Sequence, residues 1–284
     1  MAVSIPFKPA SLEGKVVVIT GAGGVICSMM AKSIALTGAK VAVLDLQYDK
    51  ANAVAEEIVA NGGIAKGYQN NVLDKADIAR VHKEILADLG SVDILINGAG
   101  GNSPKASTNQ DYYEPKLDES TIDFFDLKQE GIEFVFNLNF LGTLLPCQEF
   151  AKDMIGKKGC SILNISSMNA FTPLTRIPAY SAAKASVSNF TKWLAVCFSK
   201  VGIRVNAIAP GFLATAQNHA LLFNEDGTLT KRSEKIIAAT PMERFGNPDE
   251  LIGGTLFLID EAASSFVTGV VLPIDGGFSS YAGV

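Results

Sequence analysis

The sequence predicts an α/β protein, a doubly wound parallel sheet of about seven strands with helices on both faces. Three observations predict it. Short runs that are apolar throughout and rich in β-branched residues recur along the chain, as strands buried on both faces require. Helical patterns separate these runs one by one, the alternation expected of βαβ units. A glycine-rich turn, "TGAGGVIC" (residues 20–27), follows the first run and opens the first helix, at the sheet edge where such folds take ligands.

Taken in order, strand patterns fall at 15–20, 40–45, 92–97, 160–166, 203–209 and 269–274, with a weaker one at 64–68. Helical patterns fall at about 25–37, 49–61, 74–89, 131–156, 179–200 and 248–260. No repeat or linker-like break interrupts them, so residues 1–284 read as one domain. Two polar-rich excursions, near 101–130 and 212–246, leave the C-terminal ends of the fourth and sixth strands. Excursions this long are uncommon unless functional, and these are read as substrate-side walls.

Composition narrows the function. Apolar residues make up 48% and charged residues 19% of the 284, which supports a large core. A net charge of −5 with scattered Lys and Arg lacks the basic face that nucleic acid demands. No apolar run approaches the length of a membrane span. The N-terminus "MAVSIPFKPASLEGK" lacks a leader pattern, and the expected location is cytoplasmic. Cys27, Cys147, Cys160 and Cys197 sit at irregular spacings and read as reduced thiols. His82 and His219 are too far apart in sequence to suggest a metal site, and none is expected.

The glycine loop has the strand–turn–helix context of a dinucleotide fingerprint. Gly21, Gly23 and Gly24 permit close backbone approach, and the amides around Val25 and Ile26 would face a pyrophosphate with the helix dipole behind them. The G-x-G-x-x-G pattern fails at Ile26, so a purely structural turn is the competing reading. Asp45 ends the second strand, 24 residues after Gly21. A carboxylate there accepts ribose hydroxyls and repels a 2′-phosphate, and Leu46 and Gln47 offer no guanidinium. The pair favours NAD over NADP.

Tyr180 and Lys184, in "YSAAK", are four apart and share a helix face. An ammonium beside a phenol stabilises phenolate and makes it a usable general acid/base. Ser167 lies 13 residues upstream at the end of an apolar strand and can bond a substrate oxygen; a helix cap is the structural alternative.

At these residues the chain resembles the short-chain dehydrogenase/reductase family over essentially its whole length. The matching stretches are "TGAGGVIC", "LDL", "NGAG", "NLNFLG", "NISS", "YSAAK", "NAIAPG" and "LPIDGG", in family order. The resemblance implies a Rossmann-type fold, a nicotinamide cofactor, and catalysis by Ser167, Tyr180 and Lys184 supported by Asn139. It implies that Lys184 holds the nicotinamide ribose. It also implies cofactor contacts at Asn97, Gly98 and Ala99, at Asn71 and Val72 near the adenine, and at Pro210 and Gly211 beneath the nicotinamide. A homotetramer or homodimer is expected. Two departures stand out: Val25 and Cys27 occupy positions where the family places glycine. Gly98 also stands where the family usually has a second Asn.

"GAGGNSPKAST", "SMNAFTPLTRIPAYSAAK" and "LPIDGGFSSYAGV" are similar to a sugar-acid branch of that family, the D-mannonate oxidoreductases or fructuronate reductases. A sugar-acid substrate needs a cation for its carboxylate and polar groups for its hydroxyls. Arg176 and Lys105 are the candidate cations, Asn102 and Asn169 the candidate polar contacts, and His219 a candidate on the second excursion. Each has a structural alternative as a loop charge or a loop anchor. The competing functions are another sugar-acid dehydrogenase, such as one for gluconate, and a non-catalytic NAD(H)-sensing protein.

Overall fold

The computed structural model describes residues 11–115, 118–216 and 218–283. Most of the N-terminal segment read for a leader, residues 1–10, lies outside them, as does Val284 at the end of "LPIDGGFSSYAGV".

Seven strands form one parallel sheet: β1 (Val16–Thr20), β2 (Lys40–Asp45), β3 (Ile64–Gln69), β4 (Ile94–Asn97), β5 (Cys160–Ile165), β6 (Ile203–Pro210) and β7 (Val271–Ile274). Their spatial order is β3-β2-β1-β4-β5-β6-β7, with every pair parallel. The chain winds outward from β1 to β3 and then returns to add β4 on the other side. The crevice between the ends of β1 and β4 is therefore the topological switch point, where open α/β sheets bind ligands.

The central strands are largely apolar because both faces are covered. Alternate side chains of β1 and β2 divide between two cores. Val17, Ile19, Val41 and Val43 pack under α1 (Val25–Ala35), α2 (Tyr48–Ala60) and α9 (Glu250–Ile259). Val16, Val18, Ala42 and Leu44 face α3 (Lys75–Asp88), α5 (Gly142–Phe150) and α6 (Pro178–Phe198). The weak pattern of β3 follows from its place at the edge, where Ile64 and Gln69 are exposed.

The helix expected over 131–156 is interrupted. It comprises α4 (Gln129–Phe136), a π-helical stretch Asn137–Leu141, α5, and a 3-10 turn Ala151–Asp153. A π stretch inserts a residue into the helical ladder and recurs at functional sites; here Asn139 lies at its centre.

The excursions hold short elements that periodicity did not reveal. The first carries 3-10 turns at Pro104–Ala106 and Phe124–Asp126. The second carries α7 (His219–Leu222) and α8 (Lys231–Ala238), and α10 (Glu261–Ser264) follows α9. The four thiols are free; Cys27, Cys147 and Cys160 are buried and Cys197 is exposed.

Candidate active site

A cleft of about 650 Å³ opens at the switch point. Strand β1 ends at Thr20, whose hydroxyl accepts the N–H groups of Gly98 (3.1 Å) and Ala99 (3.2 Å) and so fastens the tips of β1 and β4 together. The chain then turns at Gly21 with φ +64°, and a Cβ there would come within 2.9 Å of the Ala99 backbone. Only glycine satisfies both demands. Helix α1 starts at Val25 with Gly24 as its N-cap and no side chain on its first amides. Those amides are left for an anion in the cleft, which Gly21, Gly24, Val25 and Ile26 line.

Asp45, Leu46, Asn71 and Val72 line the cleft. Asp45 also holds the glycine loop in shape: Oδ2 accepts the Gly23 N–H at 3.0 Å and Oδ1 the Gln47 N–H at 2.9 Å. Gly23 thus shapes the wall through Asp45 rather than lining it.

On the β4 side, Gly98, Ala99 and Gly100 line the cleft, but Asn97 does not. Its side chain is buried in the sheet, where Nδ2 donates to Asn164 Oδ1 at 2.9 Å and to Cys147 Sγ at 3.2 Å. The Asn97 side chain thus ties β4 to β5 and to Cys147, which leaves only its backbone to serve the expected cofactor contact. Pro210 is likewise the buried last residue of β6, and it is Gly211 that reaches the cleft.

The structure accounts for Cys27. A Cβ on Gly98 would lie 2.2 Å from Cys27 Sγ. The thiol therefore fills the space that a side chain at position 98 would take. Cys27 and Gly98 are thus one feature, a side chain on α1 in the space left by a glycine just after β4, whereas Val25 is not explained by it. Burial pushes the thiol up to about 12, so it stays protonated and acts as packing.

Ser167 lies two residues beyond β5, caps the 3-10 turn Met168–Ala170, is buried, and accepts the Asn169 N–H at 3.3 Å. Tyr180 and Lys184 project from the first turns of α6, which begins with Pro178 in the position that suits proline. Lys184 is buried, donates to the Ile165 carbonyl at 2.8 Å, and has Nζ 5.7 Å from the centroid of the Tyr180 ring. Burial pushes this lysine down to about 8, against the opposing influence of Cys27. Tyr180 differs from the sequence expectation. Burial holds its phenol above the usual value, and the influence pulling it down is a hydrogen bond with Ser167 rather than the lysine charge.

Asn139 joins this group. The π stretch turns it inward, fully buried, where Nδ2 donates to the carbonyls of Gly101 (2.7 Å) and Val135 (2.8 Å) and Oδ1 accepts the Gly101 N–H at 3.3 Å. It pins the backbone after β4 beside Lys184, whose Nζ would lie 3.1 Å from a Cβ at Gly100.

The substrate-side candidates fare unevenly. Asn169 is buried beside Ser167, with Oδ1 unpartnered among the described residues. Asn102 is exposed and donates to Ser107 Oγ at 3.0 Å. Lys105 is exposed and pairs with Glu130 at 3.4 Å, and Arg176 pairs with Asp111 at 2.6 Å. Neither lines the cleft, and both have carboxylates within the protein. Arg176 also sits at φ +69°, an unusual conformation for a residue other than glycine, and anchors its own loop through Asp111. His219 is exposed at the start of α7 and stacks on Phe223 at 4.7 Å. Sequence reasoning missed several cleft residues from the second excursion, notably Thr215, Asn218 and Arg232. The only signal for Arg232 was the Thr230 cap opening a short charged helix.

A parallel sheet in this order, a phosphate-ready turn at its switch point and an adjoining Ser, Tyr and Lys define the class of nucleotide-dependent oxidoreductases. A family model described as short chain dehydrogenase matches residues 15–225. An uncharacterized oxidoreductase of Haemophilus influenzae is 62% identical over 274 residues, 96% of each chain. A crystal structure from that organism, provisionally named a D-mannonate oxidoreductase and holding NAD, superposes with a TM-score of 0.94 at 62% identity, covering 96% of this chain and 98% of that one. A gluconate 5-dehydrogenase of Burkholderia cenocepacia, in complex with NADP and tartrate, gives 0.81 at 29% identity, covering 96% and 98%. The chain belongs to the short-chain dehydrogenase family.

Proposed function

We propose that the chain is an NAD-dependent dehydrogenase that interconverts an alcohol and a ketone on a sugar acid, with D-mannonate and D-fructuronate as the pair. The observation that carries the reading is that Ser167, Tyr180 and Lys184 meet beside the cleft, with Lys184 Nζ packed against Gly100 of its lining, and that the same cleft presents Asp45. The cleft's uncapped helix amides and its strand-end carboxylate suit a dinucleotide without a 2′-phosphate. The Haemophilus relative with NAD bound supports the same cofactor.

Bound NAD supplies the hydride acceptor. The chain's own residues handle the proton. Ser167 Oγ donates to the reacting oxygen and holds it near the Tyr180 hydroxyl. In oxidation, the Tyr180 phenolate takes the alcohol proton; in reduction, the phenol returns it. Lys184, held by the Ile165 carbonyl, carries the cation beside the Tyr180 ring and would hold the ribose of bound NAD. Asn139 keeps the Gly100–Gly101 backbone in place behind the lysine. Catalysis then rests on near-attack positioning and on a phenol whose burial is offset in part by the hydrogen bond with Ser167.

For the substrate, the buried, unpartnered Asn169 amide oxygen beside Ser167 supplies a polar contact for a hydroxyl. The provisional name of the Haemophilus relative favours D-mannonate, and the gluconate 5-dehydrogenase keeps gluconate as the second reading. The chain is proposed to act in the cytoplasm as a homotetramer or homodimer. No helix among the described residues is long and apolar enough to cross a membrane. The exposed Trp193 and Val196 of α6 support self-association.

Initial rates with NAD across aldonic and uronic acids test the substrate. D-mannonate is expected to give the highest kcat/KM, and faster turnover of gluconate would replace the assignment.

A further inference from the structure

We propose that Arg232, on α8, grips the phosphates of the dinucleotide from the wall facing the glycine loop. The inference rests on the NAD reading above and adds a binding residue to it.

The glycine loop brings dipoles to the cleft but no charge. The first turn of α1 holds Val25, Ile26, Cys27 and Ser28, none of them basic. Asp45 adds a negative charge at one end. A pyrophosphate carries two, so backbone amides alone leave it under-compensated. Lys184 sits at the catalytic end, committed to the Ile165 carbonyl. Lys50 lies at the Asp45 end, where a Cβ on Gly23 would meet its Cβ at 2.7 Å. Arg232 is the cation that the second excursion brings to the same cleft, beside Asn218 and Leu222. It has no hydrogen-bond or ion-pair partner among the described residues. An exposed guanidinium in the lining of the cleft that the glycine turn also lines has the fork geometry for two phosphate oxygens.

The helix beneath Arg232 is not a loose arm. Thr230 caps α8 by accepting the Ser233 N–H at 3.2 Å, and Ser233 and Ile236 are buried. One turn on, Lys235 pairs with Asp111 at 2.9 Å, and Asp111 also takes Arg176 at 2.6 Å and the Thr175 hydroxyl at 3.2 Å. Both excursions and the segment leading to Tyr180 meet on this one carboxylate. Arg232 is thus presented from a fixed element, which lowers the entropy cost of closing it onto a ligand.

The test is titration of NADH, ADP-ribose and adenosine against the wild-type chain, Arg232→Met and Arg232→Lys, at two salt concentrations. Because Arg232 is exposed, Met keeps the bulk without disturbing the fold. Arg232→Met is expected to weaken NADH and ADP-ribose by about tenfold, in line with the loss of a charge-assisted bond. It should also flatten the salt dependence of binding and leave adenosine unchanged. Lys should recover part of the loss. An NADH dissociation constant within twofold of wild type, or an equal loss for adenosine, would overturn the inference, as would a raised sugar-acid KM with NADH binding intact. A wild-type chain that binds no NADH would instead overturn the cofactor reading beneath it.

Discussion

Cys27 and Gly98 are distant in the chain and interlock in space, and neither is intelligible alone. By sequence, Cys27 is a thiol where a helix should approach a strand closely, and Gly98 an unexplained glycine. The geometry makes them one feature, because Sγ stands where a Cβ at 98 would go. Gly98→Ala should cost about 1–3 kcal/mol by overpacking. Cys27→Ala in the same chain should recover part of that cost in a double-mutant cycle of thermal melts. Full recovery is not expected, since the Thr20 carbonyl also stands 2.8 Å from the new Cβ. Strictly additive effects would contradict the pairing. Lys184 gives a second prediction at this scale. Its folded value lies near 8, below its ordinary 10.5, because burial disfavours the ammonium. Between about pH 8 and 10.5 the unfolded chain holds a proton that the folded chain has released, so this residue's contribution to stability rises with pH across that window. Below it the buried charge destabilises the fold. Lys184→Met should therefore raise the melting temperature at pH 7, by an amount equivalent to about 1–3 kcal/mol, while nearly abolishing turnover. A melting temperature that falls would show the lysine to be well solvated or well paired.

Elements with unbroken apolar runs, such as β1, were legible because burial on both faces keeps polar residues scarce in them. Strand β3 was faint for the converse reason: Lys66 and Gln69 sit at an edge facing water. The helix read over 131–156 shows the limit of periodicity. A π stretch keeps the pattern nearly continuous while shifting its register, so Asn139 was recognisable by motif but its inward turn was not. The excursions were legible only as excursions. Helix α8 is four charged residues in eight, KRSEKIIA, with its buried side limited to Ser233 and Ile236. Such a segment looks like a solvated loop until its partners are known. The same holds for Arg176 and Lys105, read as cations for a substrate and found bound to Asp111 and Glu130. Their partners lie in polar stretches whose fold no hydrophobic pattern specifies. The Asp111 clasp is electrostatically durable: Lys235, then Arg176, hold its carboxyl down to about 2. Its contribution is present above the unfolded carboxylate range and fades only as pH falls toward 2.

At the scale of the whole molecule, the sheet order fixes where chemistry can happen. The switch point between β1 and β4 gathers the glycine turn, and β5 and α6 bring Ser167, Tyr180 and Lys184 to the same edge. Local motifs in a local order were enough to anticipate this, because each lies at the end of a strand or the start of a helix. The substrate was less legible, since it depends on walls built from the two excursions. A sheet with a dinucleotide cleft serves a sensor as well as an enzyme. What separates them is the phenol, which a sensor does not need. The most direct measurement is the turnover of Tyr180→Phe relative to wild type with NAD and D-mannonate, with NADH affinity followed on the same protein. The account predicts a fall in kcat of several orders of magnitude with NADH affinity nearly unchanged. Turnover retained within a few-fold would contradict Tyr180 as the general acid/base and the proposed mechanism with it.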